Sequence, residues 1–124
     1  MNNCIFCQLE KSKILIENDL TLCFNDQYPV TSGHSLIIPK RHVQSFFELT
    51  IDERSAMFEL IELKKIELQD KDKLITGFNL GVNDGSDAGQ TIMHCHIHLI
   101  PRRKGDMKNP RGGVRGVIPE KQSY

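Results

Sequence analysis

The sequence lacks the features that indicate a membrane protein or a nucleic-acid-binding protein. Its 16 acidic residues balance its 16 basic residues, so no overall cationic field attracts a nucleic-acid backbone. No apolar run approaches the roughly 18 residues that are needed to cross a bilayer. The N-terminus also has no basic stretch followed by an apolar one. We therefore expect a cytoplasmic protein with neither a nucleic-acid nor a membrane partner.

Two further absences restrict the chemistry. The pattern GxxxxGK[ST] does not occur, which excludes a phosphate-binding loop of the nucleoside triphosphatase type. The four cysteines have no secretion signal ahead of them, so disulfides are not expected. The closely spaced Cys4 and Cys7 are better interpreted as metal ligands or as free thiols. A chain of 124 residues is long enough for one core, so we expect a single domain over residues 1–124.

The apolar pattern predicts an α+β domain with a mostly antiparallel sheet. Strands are predicted at 13–24 (two strands joined at a turn), 35–39, 74–82 and 92–100. Thr50 and Glu53 have the spacing of a capping box, and a helix of about five turns follows. Its inner face is predicted to carry Met57, Leu60, Ile61 and Leu68, whereas Glu62, Lys64, Lys65 and Glu67 should point largely elsewhere.

The sequence MHCHIHLIP (93–101) places three histidines at every second position. In a strand, His94, His96 and His98 share one face, and Cys95, Ile97 and Leu99 share the other. Buried imidazoles need hydrogen-bond partners, so three in register favour a functional role over a structural one. Two functional interpretations stay open: three ligands of a catalytic zinc ion, or a nucleophile flanked by groups that orient the substrate.

The loop GVNDGSDAGQT (81–91) leads directly into this strand. Its glycines permit tight turns and a close approach of the backbone, and exposed amides in such a loop can bind an anion. Gln90 and Thr91 add side-chain donors. Phosphate-binding amides beside a nitrogen nucleophile favour the second interpretation.

These residues resemble the histidine triad family of nucleotidyl hydrolases and transferases, whose signature is His-φ-His-φ-His-φ-φ with φ apolar. It stands here as residues 94–100, with Cys95 at the first apolar position. Residues 24–43 are similar to the family's nucleoside-binding hairpin, and residues 82–102 to its phosphate loop and catalytic strand. The resemblance implies the family fold: a five-stranded sheet, one long helix and a short additional helix.

The resemblance also implies roles for individual residues. His96 matches the nucleophile that attacks an α-phosphorus, with His98 at the phosphate oxygens and His34 as the further catalytic histidine. The implied nucleotide-binding residues are Phe6, Leu9, Phe24, Asp26, Asn83, Gly89, Gln90 and Thr91, together with His96 and His98. The substrate would be a purine nucleotide derivative, such as a phosphoramidate, a dinucleoside polyphosphate or an acyl-adenylate. This chemistry requires no catalytic metal.

Some family members combine a Cys-x-x-Cys pair with two histidines to bind structural zinc. The matching residues are Cys4, Cys7, His42 and His94, within an expected zinc knuckle over residues 1–12. A reduced, metal-free pair and a redox role are the alternatives. The resemblance further implies a homodimer, with the helix at 50–70 at the interface. Residues 102–124 are predicted to form an irregular basic tail, either solvated or binding phosphate.

Overall fold

The computed structural model describes residues 3–124, so the first two residues of the expected zinc knuckle lie outside the described residues. Among the residues described, the strands and the α-helix are β1 (Ile16–Glu17), β2 (Thr21–Asn25), β3 (Ser35–Pro39), α1 (Ile51–Lys71), β4 (Ile75–Val82) and β5 (Ile97–Arg103). The strands form one antiparallel sheet in the order β1-β2-β3-β5-β4. The expected α+β fold is thus confirmed, and its short additional helical segments are 3-10 turns, such as Phe46–Glu48.

The hairpin of β1 and β2 turns at Asn18, as predicted. The Asn18 side-chain oxygen accepts hydrogen bonds from the backbone N–H groups of Leu20 and Thr21, at 3.3 and 2.9 Å. An asparagine that bonds the backbone two residues ahead forms an Asx turn, which explains why the chain reverses there. The turn lets β2 pair with β1.

The start of α1 confirms the predicted capping box. The Glu53 N–H donates to the Thr50 hydroxyl at 3.0 Å, and the Thr50 N–H donates to the Glu53 carboxylate at 2.9 Å. One expectation was wrong: Lys64 is buried, with 5 % of its surface exposed. It lies four residues after Leu60 and four before Leu68 on the inner face, and its ammonium pairs with Glu67.

The sheet separates two clusters of apolar side chains. One lies between the sheet and α1 and includes Met57 and Leu60 from the helix with Ile37 and Leu99 from the sheet. The other lies on the opposite face, where the N-terminal segment packs its Phe6 against β2 and β3. The sheet therefore has one face that α1 covers and one that the N-terminal segment covers, and each side chain of the MHCHIHLIP segment can lie on either face.

Strand β5 begins later than predicted, because its hydrogen-bonded ladder starts at Ile97 rather than Ile92. Ahead of it, the Cys95 N–H donates to the carbonyl of Val43, outside the sheet. The alternation of faces nevertheless persists, since Cys95, Ile97 and Leu99 are all buried in the helix-side cluster. His94 and His96 thus precede the strand, and His98 is the only one of the three within it.

The C-terminal segment is more regular than predicted. Strand β5 continues through Arg103, and 3-10 turns follow at Gly113–Val117 and Pro119–Lys121. Arg102 pairs with Asp106, and the guanidinium groups of two later arginines lie over the ring of Tyr124. No helix among residues 3–124 combines the length and apolar character needed to span a membrane.

Candidate active site and metal centre

A hydrogen bond at one of its two ring nitrogens fixes the orientation of His96. Its Nδ1 lies 2.8 Å from the carbonyl oxygen of His94, and because a carbonyl can only accept, Nδ1 carries the proton. In the neutral ring, Nε2 then has a lone pair. The rings of Phe6 and His96 pack nearly perpendicular to each other, at a centroid distance of 5.2 Å. The segment after Thr91 thus presents a ring nitrogen with a lone pair and a fixed orientation.

His98 adjoins His96 and two groups from the β2–β3 connection. Its Nδ1 lies 2.9 Å from Nε2 of His34 and 3.8 Å from the Asp26 carboxylate. Burial, and to a smaller extent the neighbouring His96 and His34, lower the pKa of His98 to about 4. Asp26 acts in the opposite direction. His98 is consequently a neutral ring near pH 7 and can take part in hydrogen bonds without carrying charge.

A cavity of about 910 Å³ lies beside these groups. It is large enough for a nucleotide, since ligand sites commonly measure about 300–1,000 Å³. It brings together nearly all of the residues expected to bind or act on a nucleotide: Phe6, Leu9, Phe24, Asp26, His34, Asn83, Gly89, Thr91, His96 and His98. Its lining combines apolar side chains, such as Leu9 and Phe24, with the three histidines His34, His96 and His98.

Gln90 is the one expected cavity residue that the structure assigns a different position. It is buried, with 4 % of its surface exposed, and does not line the cavity. Its side-chain oxygen accepts from the Gly85 N–H at 2.8 Å. Its side-chain nitrogen donates to the carbonyls of Gln44 and Ile92 at 3.0 and 3.1 Å. All three hydrogen bonds hold the loop in its conformation, so Gln90 affects the site through the loop and not by direct contact with the cavity.

Sequence reasoning missed other residues of the site. Asp84 accepts hydrogen bonds from the Ser45 hydroxyl and the Phe46 N–H, which ties the loop to the segment before α1. Tyr28 and Val30 line the cavity from the β2–β3 connection. No signal in the sequence distinguished these residues, because their contacts join segments that are distant along the chain. Gly89 has φ +97°, a conformation that favours glycine, and this supports its place in the loop.

The four expected metal ligands converge on one point. The donor atoms of Cys4, Cys7, His42 and His94 all lie within 4.8 Å of one another. Nδ1 of His94 is 3.4 and 3.5 Å from the two sulfurs, and Nδ1 of His42 is 3.3 Å from the Cys7 sulfur. Tetrahedral zinc with bonds of about 2.3 Å to sulfur and about 2.0 Å to nitrogen needs separations of about 3.5 Å. The donor set therefore fits zinc.

The hydrogen bonds of His94 support the same assignment. Its Nε2 lies 2.8 Å from the carbonyl of Pro39, so Nε2 carries the proton and Nδ1 keeps the lone pair that a metal binds. Both nitrogens of His94 are thereby engaged away from His98. The interpretation in which His94, His96 and His98 share one metal ion is not supported by this geometry.

Comparison with known proteins gives a consistent result. A family model described as the HIT domain matches residues 8–105. The chain is 39 % identical over 109 residues to the adenylylsulfatase HINT3 of Arabidopsis thaliana. The matched region covers 85 % of this chain and 55 % of that protein. It is 36 % identical over 95 residues to the asymmetrical bis(5'-nucleosyl)-tetraphosphatase of Schizosaccharomyces pombe, covering 77 % of this chain and 52 % of that protein. The chain thus spans about half the length of these two relatives.

A solved structure agrees in fold. A zinc-bound histidine triad family protein from Mycobacterium smegmatis has a TM-score of 0.77 and 29 % identity, covering 86 % of this chain and 80 % of that one. The resemblance that the histidine pattern carried is thereby confirmed. From the matched residues, the shared fold and the convergent histidines, we conclude that this chain belongs to the HIT domain family.

Proposed function

We propose that this protein hydrolyses purine nucleotide derivatives at the α-phosphate through a covalent nucleotidyl-His96 intermediate. The observation that carries the proposal is the 2.8 Å bond from His96 Nδ1 to the carbonyl of His94, which leaves a lone pair on Nε2 at the cavity. A relative that is an adenylylsulfatase and one that is a bis(5'-nucleosyl)-tetraphosphatase support the reaction class.

The proposed reaction has two displacements. First, the Nε2 lone pair of His96 forms a bond to phosphorus, and the bond to the leaving oxygen or nitrogen breaks with its electron pair. Water then attacks the same phosphorus and releases a proton to the solvent, and the N–P bond breaks to return the lone pair to Nε2. His98 and the backbone around Gly89 donate hydrogen bonds to the phosphoryl oxygens, where charge develops. The Asp26 carboxylate accepts a hydrogen bond from a ribose hydroxyl. No metal takes part.

Trapping the intermediate tests this proposal. The protein is incubated with labelled adenylylsulfate, an adenosine phosphoramidate and diadenosine tetraphosphate, quenched, and analysed for an acid-labile adenylyl adduct. We expect an adduct in the wild type and none in His96→Ala. Cys95→Ala is the matched control, because the neighbouring Cys95 faces the helix-side core and should keep the adduct. An adduct that persists in His96→Ala would refute the assigned nucleophile.

Two alternatives give different results. A non-catalytic purine nucleotide sensor would bind AMP but form no adduct and turn over none of the three substrates. A specific diadenosine polyphosphate hydrolase would use diadenosine tetraphosphate far better than the other two substrates. The comparison of kcat/KM among the three substrates therefore also defines the leaving group.

We further propose that the cluster of Cys4, Cys7, His42 and His94 binds a structural zinc ion. The support is the spacing of the four donors and the hydrogen bond from His94 Nε2–H to Pro39. Zinc would tie the N-terminal segment to the residue that precedes the catalytic histidine by two positions. It supplies folding energy there and no chemistry.

A homodimer is also part of the proposal. α1 leaves Ile51, Phe58, Leu63 and Ile66 exposed, and Leu80 is exposed on the edge strand β4. Such groups are candidates for burial against a second copy. Sedimentation velocity should show a dimer in the wild type and a monomer in Phe58→Glu, whereas Phe47→Glu, outside the helix, should stay dimeric.

We also propose one domain over residues 1–124 and a cytoplasmic location. We propose no nucleic-acid or membrane partner, and the balanced charge supports the absence of a nucleic-acid partner.

A further inference from the structure

A backbone group fixes the protonation of His34. This histidine is buried, with 3 % of its surface exposed, and the Val30 N–H donates to its Nδ1 at 3.0 Å. A backbone N–H can only donate, so Nδ1 must carry a lone pair, and the ring proton must lie on Nε2. Burial lowers the pKa of His34, which favours this neutral form, while Asp26 acts in the opposite direction.

The proton on His34 in turn determines which nitrogen of His98 is protonated. His34 Nε2 lies 2.9 Å from His98 Nδ1 and 3.4 Å from the Asp26 carboxylate. Two N–H groups cannot face each other at 2.9 Å, so His98 Nδ1 must accept the bond. The neutral His98 ring therefore carries its proton on Nε2. The Asp26 carboxylate does not accept a hydrogen bond from His98 Nδ1, because its oxygen lies 3.8 Å from that nitrogen.

We propose that His34 is a positioning residue that fixes His98 as the Nε2–H tautomer. The chain of donors runs from the Val30 amide through His34 to His98. The inference rests on the proposed function in one respect: the Nε2–H of His98 is then the group that meets a phosphoryl oxygen or the leaving atom. His98 donates this bond from its neutral ring, so the donor does not depend on His98 being protonated.

The same geometry argues against a metal ion at this cluster. Donor atoms of Asp26, His34 and His98 lie within 4.8 Å of one another, a spacing that an ion could use. An ion at His34 Nε2 would need the lone pair of that nitrogen, while the Val30 N–H already takes the lone pair of Nδ1. The neutral ring would have to lose its one remaining N–H proton, which imidazole resists strongly. The cluster therefore transmits hydrogen bonds instead of binding a cation.

Nuclear magnetic resonance of the wild-type protein tests the tautomer directly. The zinc-loaded full chain, with nitrogen-15-labelled histidine and no substrate, is studied by long-range proton–nitrogen correlation at pH 7. His98→Gln and His34→Gln assign the two rings. We expect both rings to show an unprotonated Nδ1 and a protonated Nε2. A proton on Nδ1 of either ring in the wild type would overturn the proposal.

Two substitutions of similar size then separate positioning from packing. His34→Gln retains an N–H donor toward His98, whereas His34→Glu replaces it with a carboxylate acceptor. We expect His98 to keep an unprotonated Nδ1 in His34→Gln and to gain an Nδ1 proton in His34→Glu. With a turned-over substrate, kcat should fall about 100-fold in His34→Glu relative to His34→Gln, as for loss of one transition-state donor.

The two readouts have separate consequences. The resonance experiment needs no turnover, so an inactive protein with the expected tautomers would count against the proposed function and not against this inference. An unchanged His98 ring in a folded His34→Glu variant would overturn the positioning role. If that variant does not fold, the wild-type spectrum alone decides the tautomer of His98.

Discussion

Replacing Gln90 with methionine should destabilise the protein by about 3 kcal/mol. The two side chains have similar length and volume, so the change removes polar contacts with little change in packing. Gln90 makes three hydrogen bonds, to the Gly85 N–H and to the carbonyls of Gln44 and Ile92. A typical buried hydrogen bond contributes about 1 kcal/mol net, and Gln90 itself is 4 % exposed.

Urea unfolding followed by circular dichroism measures this effect as a lower midpoint at constant slope. Gln44→Ala is the matched control, because Gln44 contributes only its backbone carbonyl to the bond with Gln90. Its free energy of unfolding should stay within about 0.5 kcal/mol of the wild type. The control therefore separates loss of the loop bonds from a general effect of substitution near the loop.

The same experiment distinguishes the two roles considered for Gln90. The family resemblance predicted a side chain that contacts phosphate, whereas the structure has it bonded to the loop. A Gln90→Met variant with wild-type stability but greatly reduced kcat would refute the structural interpretation. Reduced stability together with a moderate loss of activity per folded molecule is the result we expect.

Three further predictions concern the histidines, the zinc site and the cavity. The pKa of His98 is about 4 in the folded protein and 6.5 in the unfolded chain, so the unfolded chain takes up a proton first as the pH drops. The free energy of unfolding should therefore fall by up to about 3 kcal/mol between pH 6.5 and pH 4. His98→Gln should flatten that slope in pH-dependent urea titrations, and an unchanged slope would contradict the shift. Cys7→Ser should lose the zinc that elemental analysis finds in the wild type and in Cys95→Ala, whose thiol is buried in the core. Equal metal content in Cys7→Ser would exclude the site. Phe6→Leu should weaken AMP binding about threefold to tenfold by calorimetry, because it removes an aromatic contact at the cavity, while the exposed Phe47→Leu should bind as the wild type does. Equal affinity in all three proteins would show that Phe6 does not contact the ligand.

Much of the fold was predictable from local sequence. The capping box at Thr50 and the turn at Asn18 depend on neighbours within three residues, and both are present as predicted. The position of Lys64 was not predictable, because its burial depends on Glu67 supplying a partner for its ammonium. The start of β5 was misplaced because Cys95 bonds to Val43, a residue more than fifty positions earlier.

The candidate site likewise has features that the local sequence predicted and features that it did not. The alternation in MHCHIHLIP put Cys95, Ile97 and Leu99 into the core whether or not the segment formed a ladder, since the side chains of any extended chain alternate. The alternation by itself made the three histidines equivalent. It could not predict that the nitrogens of His94 face the Cys4 and Cys7 sulfurs and the Pro39 carbonyl.

The sequence by itself determined the order of helix and strands and, through motifs that resemble the family's, most of the residues that meet at the cavity. Those properties follow from motifs and periodicities that act over a few residues. Only the tertiary structure decided which nitrogen of each histidine carries the proton and that Gln90 holds the loop. A tautomer depends on which donor or acceptor faces the ring, and for His34 and His98 those partners come from different segments. For this reason three similar histidines in one short segment have three different environments.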